Sequence, residues 1–117
     1  IEANRQLEER TLAFAVAVVR FATTFPRNDA AVVVSRQLLK AGTSIGANYR
    51  EANRSESKDD FIHKTAIVVK EASETDYWLE LCTRTDLSDP TQRVTLGQEA
   101  RELLAIFTTI NRRAKGR

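Results

Sequence analysis

Cysteine and histidine occur once each, at Cys82 and His63, in a chain of 117 residues that contains no methionine. One thiol closes no internal disulfide, which fits a reducing compartment and predicts a cytoplasmic protein. One His and one Cys leave most catalytic triads and zinc sites without parts, so neither an enzyme nor a metal or other cofactor is expected. Proline occurs twice and glycine four times, too few for the turns of a sandwich or barrel. No apolar run nears the ~20 residues that span a bilayer, so neither a membrane nor a small-molecule substrate is an expected partner. A chain that starts at Ile1 without methionine is expected to have had its native N-terminus trimmed, with any short targeting segment. The hydrophobic share of 42% is enough for one core, and the length suits one domain spanning 1–117.

What is present is helical periodicity. Leu7, Thr11, Phe14, Val18, Phe21 and Phe25 alternate steps of four and three, a stripe that stays on one helix face and fits no strand. Phe25-Pro26 ends it, because proline disfavours the α conformation in the residue before it. Asn28 or Asp29 then caps a second helix, whose line runs Val34, Leu38, Ala41, Ile45, Asn48, Ala52. After a polar break, Ser57 with Asp60 resembles a capping box with a shortened acid. The third line is Phe61, Val68, Ala72, Leu79, Cys82. Asp89-Pro90 supplies an N-cap and a proline at the first helical position, opening a fourth line of Leu96, Ala100, Leu103, Phe107, Ile110, Ala114. Four helices, about 3–25, 30–52, 57–85 and 90–114, predict an all-α, antiparallel up-down-up-down four-helix bundle.

The formal charge of +2 is unevenly placed. Arg112, Arg113, Lys115 and Arg117 fall in the last six residues, which hold no acid, leaving the rest at 14 basic against 16 acidic residues. Arginine outnumbers lysine thirteen to five, and its planar fork suits phosphates and carboxylates. Those four tail cations, with Arg50 and Arg54, are the candidate nucleic-acid contacts. A solvated helix face with a basic tail explains the same residues without a ligand.

Other features have structural readings. Asp60-x-x-His63 is the single acid–histidine pair of di-metal spacing, and without a second histidine no metal site is expected. Cys82 lies on a core line, where a thiol is inert. Gly42 and Gly46 are four apart inside a helix, at roughly 1 kcal/mol each in propensity, which points to a flat face with Ala41, Ser44 and Ala47 for close helix approach. Asn48, Glu51 and Asp76 are expected to form a buried polar layer. A second line on the third helix, Ile67, Lys70, Glu74, Trp78 and Leu81, is expected to be an oligomer interface, with Trp78 and Leu81 exposed together.

The run Gln37-Leu38-Leu39-Lys40-Ala41-Gly42-Thr43-Ser44-Ile45-Gly46-Ala47-Asn48-Tyr49-Arg50-Glu51-Ala52 resembles the four helix bundle protein family, also called 23S rRNA intervening-sequence proteins. Asp60-Phe61 and Glu74 match the acid-phenylalanine pair and the later glutamate that follow this run in the family. Tyr49-Arg50 stands where Ile-Ala is usual, Ala52 replaces a glycine, and Lys70-Glu71 occupies commonly small positions. The resemblance implies a bacterial four-helix bundle. It also implies likeness to accessory proteins of diversity-generating retroelements, hence a homo-oligomer, five-fold, whose partner is RNA or a reverse transcriptase nucleoprotein. A structural or protein–protein interaction oligomer without a nucleic-acid ligand is the alternative.

Overall fold

In the computed structural model, which describes residues 1–116, the chain folds into four helices. These are α1 (Glu2–Ala22), α2 (Asp29–Ala52), α3 (Lys58–Arg84) and α4 (Pro90–Ala114). Consecutive helices pack against each other, and α1 meets α4 more sparingly. The all-α antiparallel bundle read from periodicity is the fold observed.

Local chemistry sets the helix ends. Asn28 Oδ1 accepts from Ala31 N at 2.9 Å, Ser57 Oγ from Asp60 N at 3.1 Å and Asp89 Oδ2 from Gln92 N at 2.8 Å. Each satisfies one amide that a helix start leaves orphaned. Asp60 does not complete a capping box; its carboxylate turns to Lys64 at 3.4 Å. α1 stops at Ala22, three residues before Phe25. Thr23 and Thr24 hydroxyls donate to the Arg20 and Phe21 carbonyls, which closes the helix early. Phe25 nevertheless packs edge-on against Phe21, ring centres 5.1 Å apart.

Phe14, Val18, Phe21, Leu38, Ile45, Tyr49, Val68, Ala72, Leu79, Leu103 and Phe107 form one core. On α2 the buried line steps from Ile45 to Tyr49 and then to Ala52, bypassing Asn48. The Tyr49 ring lies against Phe107 at 4.9 Å and 64°, so the tyrosine fills the core position at which the resemblance leads one to expect isoleucine.

The expected polar layer of Asn48, Glu51 and Asp76 does not form. Asn48 is half-buried and donates to Ser44 O of its own helix at 2.8 Å. Glu51 is exposed. Asp76 lies at the α3–α4 edge, 3.6 Å from Arg101. Steps of three and four both keep a residue near a helical line, and here the step of four places an aromatic in the core and turns the amide outward. The polar residues that are buried are Thr11, Thr65, Thr75, Arg93 and Asn111. The threonines satisfy themselves on carbonyls three or four residues back, the arrangement that makes a buried hydroxyl tolerable in a helix. Asn111 ties α4 to α3 through Ile62 O and Thr65 Oγ1, both at 2.9 Å.

Gly42 and Gly46 do form the close-approach face. A Cβ at 42 would stand 2.9 and 3.0 Å from the two Cγ atoms of Val18, and one at 46 would meet Thr11 at 3.0 Å. Val18 is fully buried and cannot yield. Gly97 differs, since its added Cβ would meet only the guanidinium of exposed Arg101, at 3.2 Å. Gly42→Ala is therefore expected to destabilise the fold by about 1–3 kcal/mol despite its better propensity. Gly97→Ala is expected to stabilise it, by up to about 1 kcal/mol. Urea midpoints of the two variants check this, and equal shifts of the same sign would refute it.

Candidate functional site

Up-down order brings the start of α1, the end of α2, the start of α3 and the end of α4 to one end of the bundle. Arg50 and Arg54 therefore lie at the same end as Lys58, Arg112, Arg113 and Lys115. The register is fixed by Asn111 on Ile62 and Thr65, and Lys58 lies beside the end of α4, its Nζ 2.7 Å from where a Cβ on Gly116 would be. Arg112 and Arg113 occupy the last turn of α4 and Lys115 caps it, where cations also complement the helix dipole. All three are exposed, and among the described residues none makes an ion pair. Arg117 lies outside the described residues.

Arg50 and Arg54 are already engaged. Glu8 of α1 sits between them, at 3.4 Å from Arg50 Nε and 3.5 Å from Arg54 Nη1, and accepts from Asn53 Nδ2 at 2.8 Å. The Asn53 hydrogen bond, helped by the two guanidinium charges, holds the Glu8 carboxyl below the usual carboxylate range. Such a carboxylate stays ionised at neutral pH and holds its neighbours. It does not exchange protons there. Both arginines keep half or more of their side-chain surface in water. They rim an open groove of about 590 Å³ between α1 and α2, floored by Leu12, Ala15, Gly46 and Ala47. Glu8 is the site residue that charge counting along the chain passes over, because its role depends on the α1–α2 register.

The second line on α3 is only partly as expected. Lys70 and Glu74 are exposed, but Ile67, Trp78 and Leu81 are half-buried, and Trp78 packs against the core. At 100° per residue the line lies about 140° round the helix from Val68 and Ala72. Burial, with Glu74 adding repulsion, pushes the Glu71 carboxyl upward, and its Oε1 is buried without a partner. The exposed aromatic is Tyr77, edge-on to Trp78 at 5.0 Å.

Other chemistry-bearing groups are dispersed. Burial pushes the Cys82 thiol up to about 11, with Arg93 opposing weakly, so little thiolate exists at neutral pH. His63 is exposed on the first turns of α3. Among the described residues no three His, Cys, Asp or Glu side chains converge as a metal site would require, and no helix is long and apolar enough to cross a membrane.

Four amphipathic helices around one core, joined by short hairpins and charged at one end, define a small helical-bundle protein. The family description "23S rRNA-intervening sequence protein" matches residues 4–109, and the chain belongs to that family. A crystal structure of a protein of unknown function from the S23 ribosomal protein family of Bacteroides thetaiotaomicron is similar, with a TM-score of 0.84 and 37% identity. That similarity covers 93% of this chain and 97% of the other. No curated protein sequence matches.

Proposed function

We propose that this chain is a non-enzymatic adaptor of the bacterial cytoplasm that assembles with copies of itself and binds RNA, or a nucleoprotein such as a reverse transcriptase complex, through phosphates. The supporting observation is the gathering of Arg112, Arg113 and Lys115 at the same end as Arg50, Arg54 and Lys58. A five-fold ring, as the sequence resemblance implies, would multiply that charge around one axis. In this reading Lys70 and Glu74 supply the exposed part of the ring contact on α3, bordered by Ile67, Trp78 and Leu81. Exposed Glu51, Glu56 and Asp59 at the same end favour the second reading, an interaction oligomer whose ligand is a protein.

Anisotropy titrations of a single-stranded RNA over a range of salt separate the two. For phosphate binding, log K falls with log salt by about 0.7 per contact. Replacing Arg112, Arg113 and Lys115 together by Gln should flatten that slope by about 2. Glu8→Gln, which frees Arg50 and Arg54 from their carboxylate, should tighten binding. Absence of binding at moderate salt, or a slope unmoved by the triple variant, would leave the protein-ligand reading.

A further inference from the structure

α1 has a second apolar stripe. Leu12, Val16 and Val19 are 44%, 42% and 44% exposed and repeat at steps of four and three, so they share one helix face. That face is turned far from the buried line of Thr11, Phe14, Val18 and Phe21. Single exposed valines and leucines are ordinary. A spaced row of three on a helix whose core side is already filled is a seam without a partner.

The edge of the stripe says what covers it. Glu9 and Arg20 lie along its α4-facing side, lining with Val16 an open groove of about 660 Å³ between α1 and α4. Both are exposed, and among the described residues neither makes an ion pair or a side-chain hydrogen bond. Their neighbours behave differently. Arg10 clamps Glu99 and Glu102 of α4 at 2.7 and 2.9 Å, and Glu8 is held by α2. Glu9 and Arg20 are eleven residues apart, about 16 Å along a helix. Their midpoint falls within a residue of the midpoint of Leu12 and Val16. The pattern acid, apolar, apolar, base is thus complementary to its own reverse.

We infer that the occupant is a second copy of this chain, its α1 packed antiparallel on this α1 about a two-fold axis near Phe14 and Ala15. That axis sets Leu12 of each copy beside Val16 of the other. It also keeps each flank on its own side, so Glu9 of each copy meets Arg20 of the other, giving two symmetric ion pairs beside the apolar seam. A parallel pairing would put equal charges at equal heights on opposite flanks and leave both unpaired. The surface is separate from the α3 line, so it can join two monomers or two rings, and in either case its loss halves the assembly.

The test is charge exchange read by sedimentation equilibrium or light scattering, with circular dichroism confirming the fold of each variant. Glu9→Arg alone sets two guanidinium groups against each other across the axis, and Arg20→Glu alone sets two carboxylates against each other. Each should weaken the contact by about tenfold or more and halve the assembly mass at a concentration where the parent chain is assembled. The double exchange restores opposite charges across the axis and should restore the parent mass. A parent chain that is monomeric throughout, single exchanges that leave the mass unchanged, or a folded double exchange that stays at half mass would each overturn the inference. A five-fold ring built through α3 would still show its own mass in the single exchanges, so the two contacts fail independently.

Discussion

Phe107→Ala is expected to cost about 4 kcal/mol of stability and to lower the thermal midpoint by roughly 15 °C for a domain of this length. Phe107 has no exposed surface and belongs to the core cluster. Its ring meets Tyr49 edge-on at 4.9 Å, an aromatic contact of about 1 kcal/mol beyond simple burial. Truncation to alanine leaves a cavity that four long helices cannot easily collapse into, because glycine faces already hold α1 and α2 at close approach. The tyrosine suffers too. It is buried, and its hydroxyl approaches Asn4 Oδ1 at 3.5 Å, so losing the opposing ring loosens the start of α1 as well. Phe107→Leu should cost much less, since most of the volume is kept. Thermal unfolding followed by circular dichroism decides it, and a loss under about 1.5 kcal/mol for the alanine variant would mean the core is not closed around this ring.

Phe107 also shows how much of this fold can be read from the residues. Its place on the line Leu96, Ala100, Leu103, Phe107 follows from spacing alone, and the caps at Ser57 and Asp89 follow from residue type, while at α2 the structure selects Asn28 over Asp29. Periodicity fails where a line can continue by three or by four. Asn48 and Tyr49 are equally good successors to Ile45 by spacing, and only packing against Phe107 selects the tyrosine. It fails again where the buried residue is polar. Extending the α4 line back by three from Leu96 reaches Arg93, and forward by four from Phe107 reaches Asn111, both buried. A search for apolar residues passes over each. At the candidate site, the convergence of Arg50 and Arg54 with the α4 cations follows from up-down topology. The Glu8 clamp does not, since it depends on the α1–α2 register that Gly42 and Gly46 set. The Leu12, Val16, Val19 stripe has a plain signal in its spacing, yet one stripe per helix already accounts for the core, so a second has to be sought for its own sake.

Arg93 carries the second large effect. α3 ends in a Schellman turn: Leu87 N bonds Cys82 O at 2.8 Å and Asp86 N bonds Thr83 O at 3.3 Å, with Asp86 in the left-handed region at φ 55°. That position ordinarily belongs to glycine, and aspartate there is strained by about 1 kcal/mol. Arg93 compensates. Its side chain is 5% exposed, donating to Cys82 O at 2.8 Å and to Asp86 Oδ1 at 2.9 Å, so it binds both the last turn of α3 and the strained residue. Arg93→Ala removes the stem from the core edge and these bonds together, and is expected to cost about 3 kcal/mol. Arg93→Met keeps the stem and loses only the bonds, so it should recover part of that loss. Asp86→Gly gives up an ion pair whose acid is largely in water and relieves the backbone, so it should be near neutral. Cys82 is the one cysteine, buried beside this turn, which makes thiol labelling a direct measure of its opening. Labelling in native conditions should be faster in Arg93→Ala than in the parent and close to the parent in Asp86→Gly. An alanine variant with parent stability and parent labelling would show that the turn is held by its backbone bonds alone and that Arg93 is buried there without holding anything.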